Sequence, residues 1–286
     1  MHTPVLLKEV IEALDIKNEG LYVDATFGEG GYSQAILEKG GKVLGIDLDQ
    51  DQISNYKFLI SNLKLVEGNF GEIEKIAKEN NFFSVDGVVF DLGLSMRQIS
   101  QSGQGFSFKK LNEPLDMRMS LKTEMTAKYL VNHLSETDLF DVFAKNSEEI
   151  NSQKIAHEII IKRQFQKLET VKDLISCIDK AVGGQDNSTY KRIFQALRIQ
   201  VNDEFENLRK GLLGALKIVK NGGKVAVVTF HSLEDRIVKN FSKTRGVKLL
   251  NKKPISNRRG RSFEKSAKLR VLIPEVEQVS LQGKSF

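Results

Sequence analysis

The sequence predicts an α/β fold: an open parallel sheet flanked by helices, with an all-helical domain inserted into it. Two observations carry this. Through the first hundred residues, short β-branched runs alternate with amphipathic stretches, as crossover-connected parallel strands require. From about Lys109 to Val201 the strand signal disappears, and a strongly apolar run returns only at Lys224–Phe230.

In chain order, strands are read at Leu21–Thr26, Lys42–Asp47, Lys64–Glu67 and Asp86–Asp91. Helices at Tyr32–Glu38, Gln50–Asn62 and Glu72–Asn80 separate them, each short enough to be a crossover. In the insertion, Thr137–Ala144, Ser152–Gln166 and Thr170–Val182 carry apolar residues at three- and four-residue spacing. One long helix is then read over Arg192–Val219, with Phe194, Leu197, Val201, Phe205, Leu208, Leu212 and Leu216 as a core stripe. Gln195, Arg198 and Asn202 share an adjoining face. Gly222-Gly223 reads as the stop that ends this helix. The alternation in Ala267–Ile273 predicts a last strand at Lys268–Ile273 carrying basic side chains, after a loop-like basic stretch from Asn251. These boundaries give a discontinuous sheet domain, 1–108 with 202–286, around a helical insertion at 109–201.

At 286 residues and 40% hydrophobic, the chain can bury one large core or two modest ones without covalent staples. The single Cys177 excludes an internal disulfide and a cysteine-based zinc cluster. His2, His133, His157 and His231 show no close ligand spacing, so no metal is expected. No apolar run reaches the length of a membrane span, and Met1-His2-Thr3-Pro4 lacks the features of a signal peptide, so a cytoplasmic protein with no membrane partner is expected. The net charge of +6 is unevenly placed. Residues 236–286 hold 14 Lys and Arg against 3 Asp and Glu, a surplus of +11, which leaves 6 − 11 = −5 for the first 235. Such asymmetry points to a polyanionic partner met mainly by the C-terminal end.

The first strand runs into Asp24-Ala25-Thr26-Phe27-Gly28-Glu29-Gly30-Gly31-Tyr32-Ser33, a glycine-rich turn that opens a helix. Glycine lets a ligand approach the backbone closely, and a helix start favours polar or anionic groups, although tight turns use glycine for structural reasons too. The second strand ends in Asp47, placed to accept hydrogen bonds from the hydroxyls of an adenosine ribose. Turn and acid together indicate a nucleoside cofactor. Gly-x-Gly-Gly in place of a full Gly-x-Gly-x-x-Gly, with Asp24 suited to an amino acid's ammonium group, favours S-adenosyl-L-methionine over a nicotinamide dinucleotide. Asp91 closes another strand at the ligand-binding edge of the sheet, where a carboxylate also commonly caps the next helix. The late strand ends in Phe230-His231-Ser232-Leu233-Glu234-Asp235. A solvated helix start accounts for Glu234 and Asp235 but not for His231.

Taken together these stretches resemble the bacterial 16S ribosomal RNA cytosine-N4 methyltransferases, the RsmH or MraW family, over nearly the whole chain. The matching segments are His2–Leu7, Asp24–Ser33, Asp91–Ser95 with Gln98, Gly105–Phe108, Pro114–Met119, Phe194–Ile199, Val201-Asn202 and Phe230–Lys239. The resemblance implies a class I (Rossmann-like) S-adenosylmethionine-dependent methyltransferase domain, and a helical insertion that helps recognise a cytidine in the decoding region of 16S rRNA. It places cofactor contacts on Gly30, Gly31, Tyr32, Asp47, Phe70, Asp91 and Gln98, beside Asp24. This chain departs from the family in having Tyr32 for the usual His, Met96-Arg97 for Ser-Pro, Ser188–Arg192 for His-Pro-Ala-Thr-Arg, and an altered basic tail at Asn257–Ser262.

Methylation at cytosine C5 needs an attacking thiolate, and Cys177 sits in a helical pattern remote in sequence from every motif, so transfer to the exocyclic nitrogen is the expected chemistry. Asp91 is the leading candidate to hold the amino group or orient the cofactor, with His231 and Ser232 lining the same pocket. The RNA-contact candidates are Arg198, Lys252, Lys253, Arg258, Arg259 and Arg261, the first of them equally suited to a network between domains. The rivals are a methyltransferase of another substrate, a non-catalytic RNA-binding factor and, more distantly, a dehydrogenase. The expected partner is 16S rRNA, within the small ribosomal subunit; oligomeric state is left open, a homodimer included.

Overall fold

The structure is a computed structural model, which describes residues 3–56, 61–94, 102–244, 247–256 and 264–274. The chain divides into two compact units, 1–93 with 207–286, and 94–206.

The first unit is built on one sheet: β1 (Leu21–Asp24), β2 (Lys42–Asp47), β3 (Leu63–Glu67), β4 (Val85–Asp91), β5 (Val219–Thr229), β6 (Val247–Leu249), β7 (Ile255–Ser256) and β8 (Lys268–Pro274). Their order is β3-β2-β1-β4-β5-β8-β6, with β7 also on β8. The first five are parallel, and β8 runs antiparallel to β5. Helices cover both faces, so alternate residues of each strand enter different cores. Val23, Val88, Phe90, Val225 and Val227 pack with α4 (Ile73–Glu79), α10 (Glu204–Ile218) and α11 (Ser232–Thr244). Tyr22, Val89, Ala226 and Val228 pack with α1 (Leu7–Leu14) and α2 (Gly31–Glu38). α3 (Gln50–Asn55) is shorter than the Gln50–Asn62 expectation, whose residues 57–60 lie outside the described ones.

The second unit is all-helical: α5 (Ala127–His133), α6 (Glu136–Ser147), α7 (Ser152–Phe165), α8 (Val171–Val182) and α9 (Asn187–Asn202). Its core gathers Leu115, Met117, Phe143, Ile155, Leu174, Ile193 and Leu197, and Phe106 and Phe108 pack with it. The compact unit is therefore wider than 109–201. Thr170 and Asp173 form a reciprocal cap at the start of α8, and Ser135 caps α6 by accepting the Asp138 N–H at 3.1 Å.

Two expectations are corrected by the fold. The long helix Arg192–Val219 is two helices, because Asp203 adopts the left-handed conformation (φ 49°) and closes α9 through its N–H to the Ile199 carbonyl. The apolar stripe continues through the break but serves two cores: Phe194, Leu197 and Val201 in the helical unit, Leu208 and Leu212 in the sheet unit. Gly222-Gly223 does not end a helix. It lies within β5, where the pairing slips from Val85–Val219 to Gly87–Lys224. The bulge needs glycine: Gly222 has φ +77°, and a Cβ on Gly223 would sit 2.9 Å from the Asp86 carbonyl.

Candidate active site

The sheet reverses its winding at β1, which has β2 on one side and β4 on the other. Crossovers leave in opposite directions there, opening a crevice beyond the carboxyl ends of the strands. β1 ends at Asp24, β2 at Asp47, β4 at Asp91 and β5 at Thr229, so three carboxylates end on this edge.

The glycine-rich turn is shaped by these acids. Asp24 is fully buried; it accepts the Ser33 hydroxyl at 2.7 Å and the Thr26 N–H at 3.4 Å. Burial raises its pKa to about 6 against those two bonds, and the charge of Asp47 adds to the rise. Gly28, in the left-handed region, donates its N–H to Asp47 at 2.7 Å, which ties the turn to the end of β2; the second Asp47 oxygen accepts the Asp49 N–H at 2.9 Å. Burial raises the Asp47 pKa as well, against these backbone donors. Gly30 (φ +77°) caps the start of α2 beside the Phe27 ring, where a Cβ would come within 2.7 Å of the ring. Gly31 is the first residue of α2.

At the end of β4, the Asp91 N–H donates to the Thr26 hydroxyl at 2.6 Å, and its carboxylate accepts the Gly93 N–H at 3.2 Å. Burial raises the Asp91 pKa to about 7; Gly93 and the Tyr32 hydroxyl oppose the rise, and Asp24 and Glu234 add to it. Gly93 packs against the Phe230 ring, where an added Cβ would come within 2.8 Å of it, which sets the Asp91 turn beside the end of β5. Phe70 opens a 3-10 turn after β3, edge-on to Phe90 at 5.7 Å.

Beyond β5, Glu234 is buried rather than solvated. Its carboxylate accepts the Phe230 N–H at 2.7 Å and the His231 N–H at 3.2 Å, and approaches His231 Nε2 at 2.9 Å. Asp235 is buried too, in a bidentate pair with Arg270 of β8 at 2.6 and 3.0 Å. Arg270, one of the basic side chains expected on this last strand, is thus spent inside the fold. Ser232 is exposed at the start of α11. Sequence reading missed Thr26, Ser33 and Glu234. Glu234 stands three residues after His231, the spacing of a capping box, but a histidine at the cap position hid the pattern.

The family model of the MraW methylases matches residues 1–274. The chain belongs to the MraW methylase family. Among its relatives are proteins named ribosomal RNA small subunit methyltransferase H. The one from Cytophaga hutchinsonii is 41% identical over 84% of this chain and 82% of the relative. That from Dictyoglomus thermophilum is 40% identical over 95% and 96%, and that from Ehrlichia canis 39% over 96% and 99%.

The cofactor of this MraW-family chain is S-adenosyl-L-methionine, and the residues fit it. Among the described residues, the leading influences on Asp24, Asp47 and Asp91 are burial, neighbouring carboxylates, hydroxyls and backbone amides. Three carboxylates on one edge suit a ligand that carries an ammonium and a sulfonium. The turn at Gly28 and Gly30 offers close approach to backbone.

Arg198 places both nitrogens of its fork on Glu204, at 2.7 and 2.8 Å, with its side chain 14% exposed; Gln195 bonds the Asn146 carbonyl and Asn202 the Met117 carbonyl. This polar row is a network inside the helical unit, which removes Arg198 from the exposed cations. Lys252 and Lys253 are exposed between β6 and β7. Gln98, Arg258, Arg259 and Arg261 lie outside the described residues. Cys177 is buried in the helical core, where burial pushes its thiol up to about 11. Among the described residues, no three His, Cys, Asp or Glu side chains group to hold a metal, and no helix is long and apolar enough to cross a membrane.

Proposed function

We propose that this chain methylates the exocyclic N4 of a cytidine in the decoding region of 16S rRNA, by direct in-line transfer without a covalent enzyme intermediate. Membership of the MraW methylases and the relatives named for the small-subunit rRNA support the substrate class. The observation that carries the chemistry is Asp91: a recessed carboxylate at the switch point whose pKa of about 7 lets it exchange a proton at neutral pH.

Bound S-adenosylmethionine supplies an electrophilic methyl group. Asp47 holds the ribose hydroxyls, the turn at Gly28–Gly31 takes the amino-acid end over Asp24, and Phe70 flanks the adenine. Asp91 accepts a hydrogen bond from the cytosine amino group, drawing its lone pair out of conjugation with the ring, and receives the proton that the nitrogen sheds. His231, steadied by Glu234, and Ser232 line the same edge. No thiolate is required, and Cys177, buried and protonated, is not placed to offer one. The helical unit takes part in recognising the cytidine once it has left its stack. Lys252 and Lys253, with Arg258, Arg259 and Arg261, hold RNA phosphates within the small subunit.

The test is incubation of the purified protein with labelled S-adenosylmethionine and small subunits from a strain lacking the enzyme, followed by digestion to nucleosides. Label in N4-methylcytidine is expected. Label in 5-methylcytidine or in any other nucleoside overturns the proposal, as does labelling of protein alone.

A further inference from the structure

We infer that Thr26 is a positioning residue for the methyl transfer: its hydroxyl ties the turn that takes the cofactor to the main chain of Asp91, and so fixes that carboxylate relative to the methyl group to be moved. The inference rests on the reading of Asp91 just given.

β1 and β4 run parallel, with Asp24 level with Val89. One step further on, the Ala25 N–H donates to the Val89 carbonyl at 2.9 Å. In a regular parallel ladder the next bond would run from the Asp91 N–H to the Ala25 carbonyl. By then the chain has left β1 for the glycine-rich turn, and the Thr26 hydroxyl accepts the Asp91 N–H instead, at 2.6 Å. A side chain thus makes the last bond between the two strands. It does so at the residue that carries the acceptor carboxylate.

The neighbouring bonds of the turn lead elsewhere. The Thr26 N–H turns back to the Asp24 carboxylate at 3.4 Å, the Phe27 N–H donates to the Ile46 carbonyl at 2.8 Å, and the Gly28 N–H donates to Asp47 at 2.7 Å. These hold the turn to the ends of β1 and β2, whereas the Thr26 side chain reaches across to β4. On the far side of β4, the Leu92 N–H donates to the Val228 carbonyl at 3.0 Å, and the Gly93 N–H donates to the Asp91 carboxylate at 3.2 Å. Asp91 therefore has its side chain oriented by Gly93 and its main chain set by Thr26. In-line transfer needs the amino nitrogen and the sulfonium methyl aligned, and a shift of about 1 Å can cost about a hundredfold in rate. Without the hydroxyl, the Asp91 N–H loses its acceptor and the carboxylate moves with the main chain that relaxes around it. The bonds of Gly28 and Asp47 that shape the cofactor's seat are untouched.

The test compares wild type with Thr26→Val, which keeps the shape of the side chain without its oxygen, and Thr26→Ser, which keeps the hydroxyl. Thr26→Val should lose kcat by roughly 10- to 100-fold, while calorimetric affinity for S-adenosylmethionine stays within about threefold. Thr26→Ser should recover most of kcat. Amide exchange of Asp91 reads the bond itself: it should run roughly 3- to 10-fold faster in Thr26→Val, the effect of one hydrogen bond, while Val88 and Val89 keep their wild-type rates. Thr26→Ala, which also cannot accept, repeats the comparison should Thr26→Val not fold. Wild-type kcat or wild-type Asp91 exchange in the variant without the hydroxyl overturns the inference. So does a loss of cofactor affinity as large as the loss of kcat, or a Thr26→Ser no faster than Thr26→Val. Full activity in Asp91→Asn overturns the reading of Asp91, and this inference with it; the exchange rates, which do not depend on catalysis, tell that outcome from a failure of the tether.

Discussion

Removing the charge of Asp91 should stabilise the protein, and by an amount that depends on pH. Its folded-state pKa of about 7 lies above the ordinary value of 3.8, so the folded chain holds this proton more tightly than the unfolded chain does. Keeping Asp91 ionised in the fold therefore costs free energy. The cost is absent below about pH 4, grows as pH climbs toward 7, and is constant above it. At about 1.4 kcal/mol per pH unit, the interval corresponds to about 4 kcal/mol at pH 8 and about 2 kcal/mol at pH 5. Asp24, raised to about 6 in part of the same edge, repels Asp91, so losing one charge also eases the other. Asp91→Asn keeps an oxygen for the Gly93 N–H and leaves the chain without this half-buried charge. Urea unfolding at pH 8 and pH 5 measures the difference: the variant should show the higher midpoint with an unchanged slope, and its advantage should roughly halve at the lower pH. A variant less stable at pH 8, or an advantage equal at both values, would refute the argument from desolvation and charge. Turnover should meanwhile fall on the order of a hundredfold, the exchange of stability for activity that buried catalytic charges embody.

Asp47→Ala should weaken S-adenosylmethionine binding by about 1.5–3 kcal/mol, the loss of hydrogen bonds to a charged group; unchanged calorimetric affinity would place the ribose elsewhere. Asp235→Asn should destabilise the sheet unit by about 3–5 kcal/mol, since it leaves the buried Arg270 fork without its counter-charge. Equal thermal stability of variant and wild type would mean that water reaches the pair. Replacing Arg258, Arg259 and Arg261 by Ala should flatten the salt dependence of subunit binding by roughly one unit of slope for each phosphate no longer neutralised, with cofactor affinity intact; an unaltered slope moves the RNA surface elsewhere. Cys177→Ala should leave methylation intact, and a large loss would reopen a thiolate mechanism.

The sheet is legible in the sequence because a strand covered on both faces writes itself as a β-branched run: Lys42–Asp47 is legible to the residue, and Asp86–Asp91 and Lys268–Ile273 to within one at an end. The residues that end these strands, Asp24 aside, are legible for the same reason, since the edge of a parallel sheet is where a chain must turn and where a ligand can enter. Local pattern fails where a single residue changes the outcome. Apolar spacing runs unbroken through Asp203, so nothing in periodicity announces that one stripe supplies two cores; only the left-handed turn divides them. Partnership is illegible throughout. Glu234 and Asp235 look like the solvated acids of a helix start, yet His231 and Arg270 take them inside. Arg198 looks like a free cation until Glu204 closes on it. Nothing in the glycine-rich turn announces that the Tyr32 hydroxyl donates inward to the Val5 carbonyl. Sequence by itself determined which residue types stand at the sheet edge. Tertiary structure decided their charge state and orientation, because desolvation and hydrogen-bond geometry depend on neighbours distant in the chain, as Thr26 and Asp91 are at 65 residues apart.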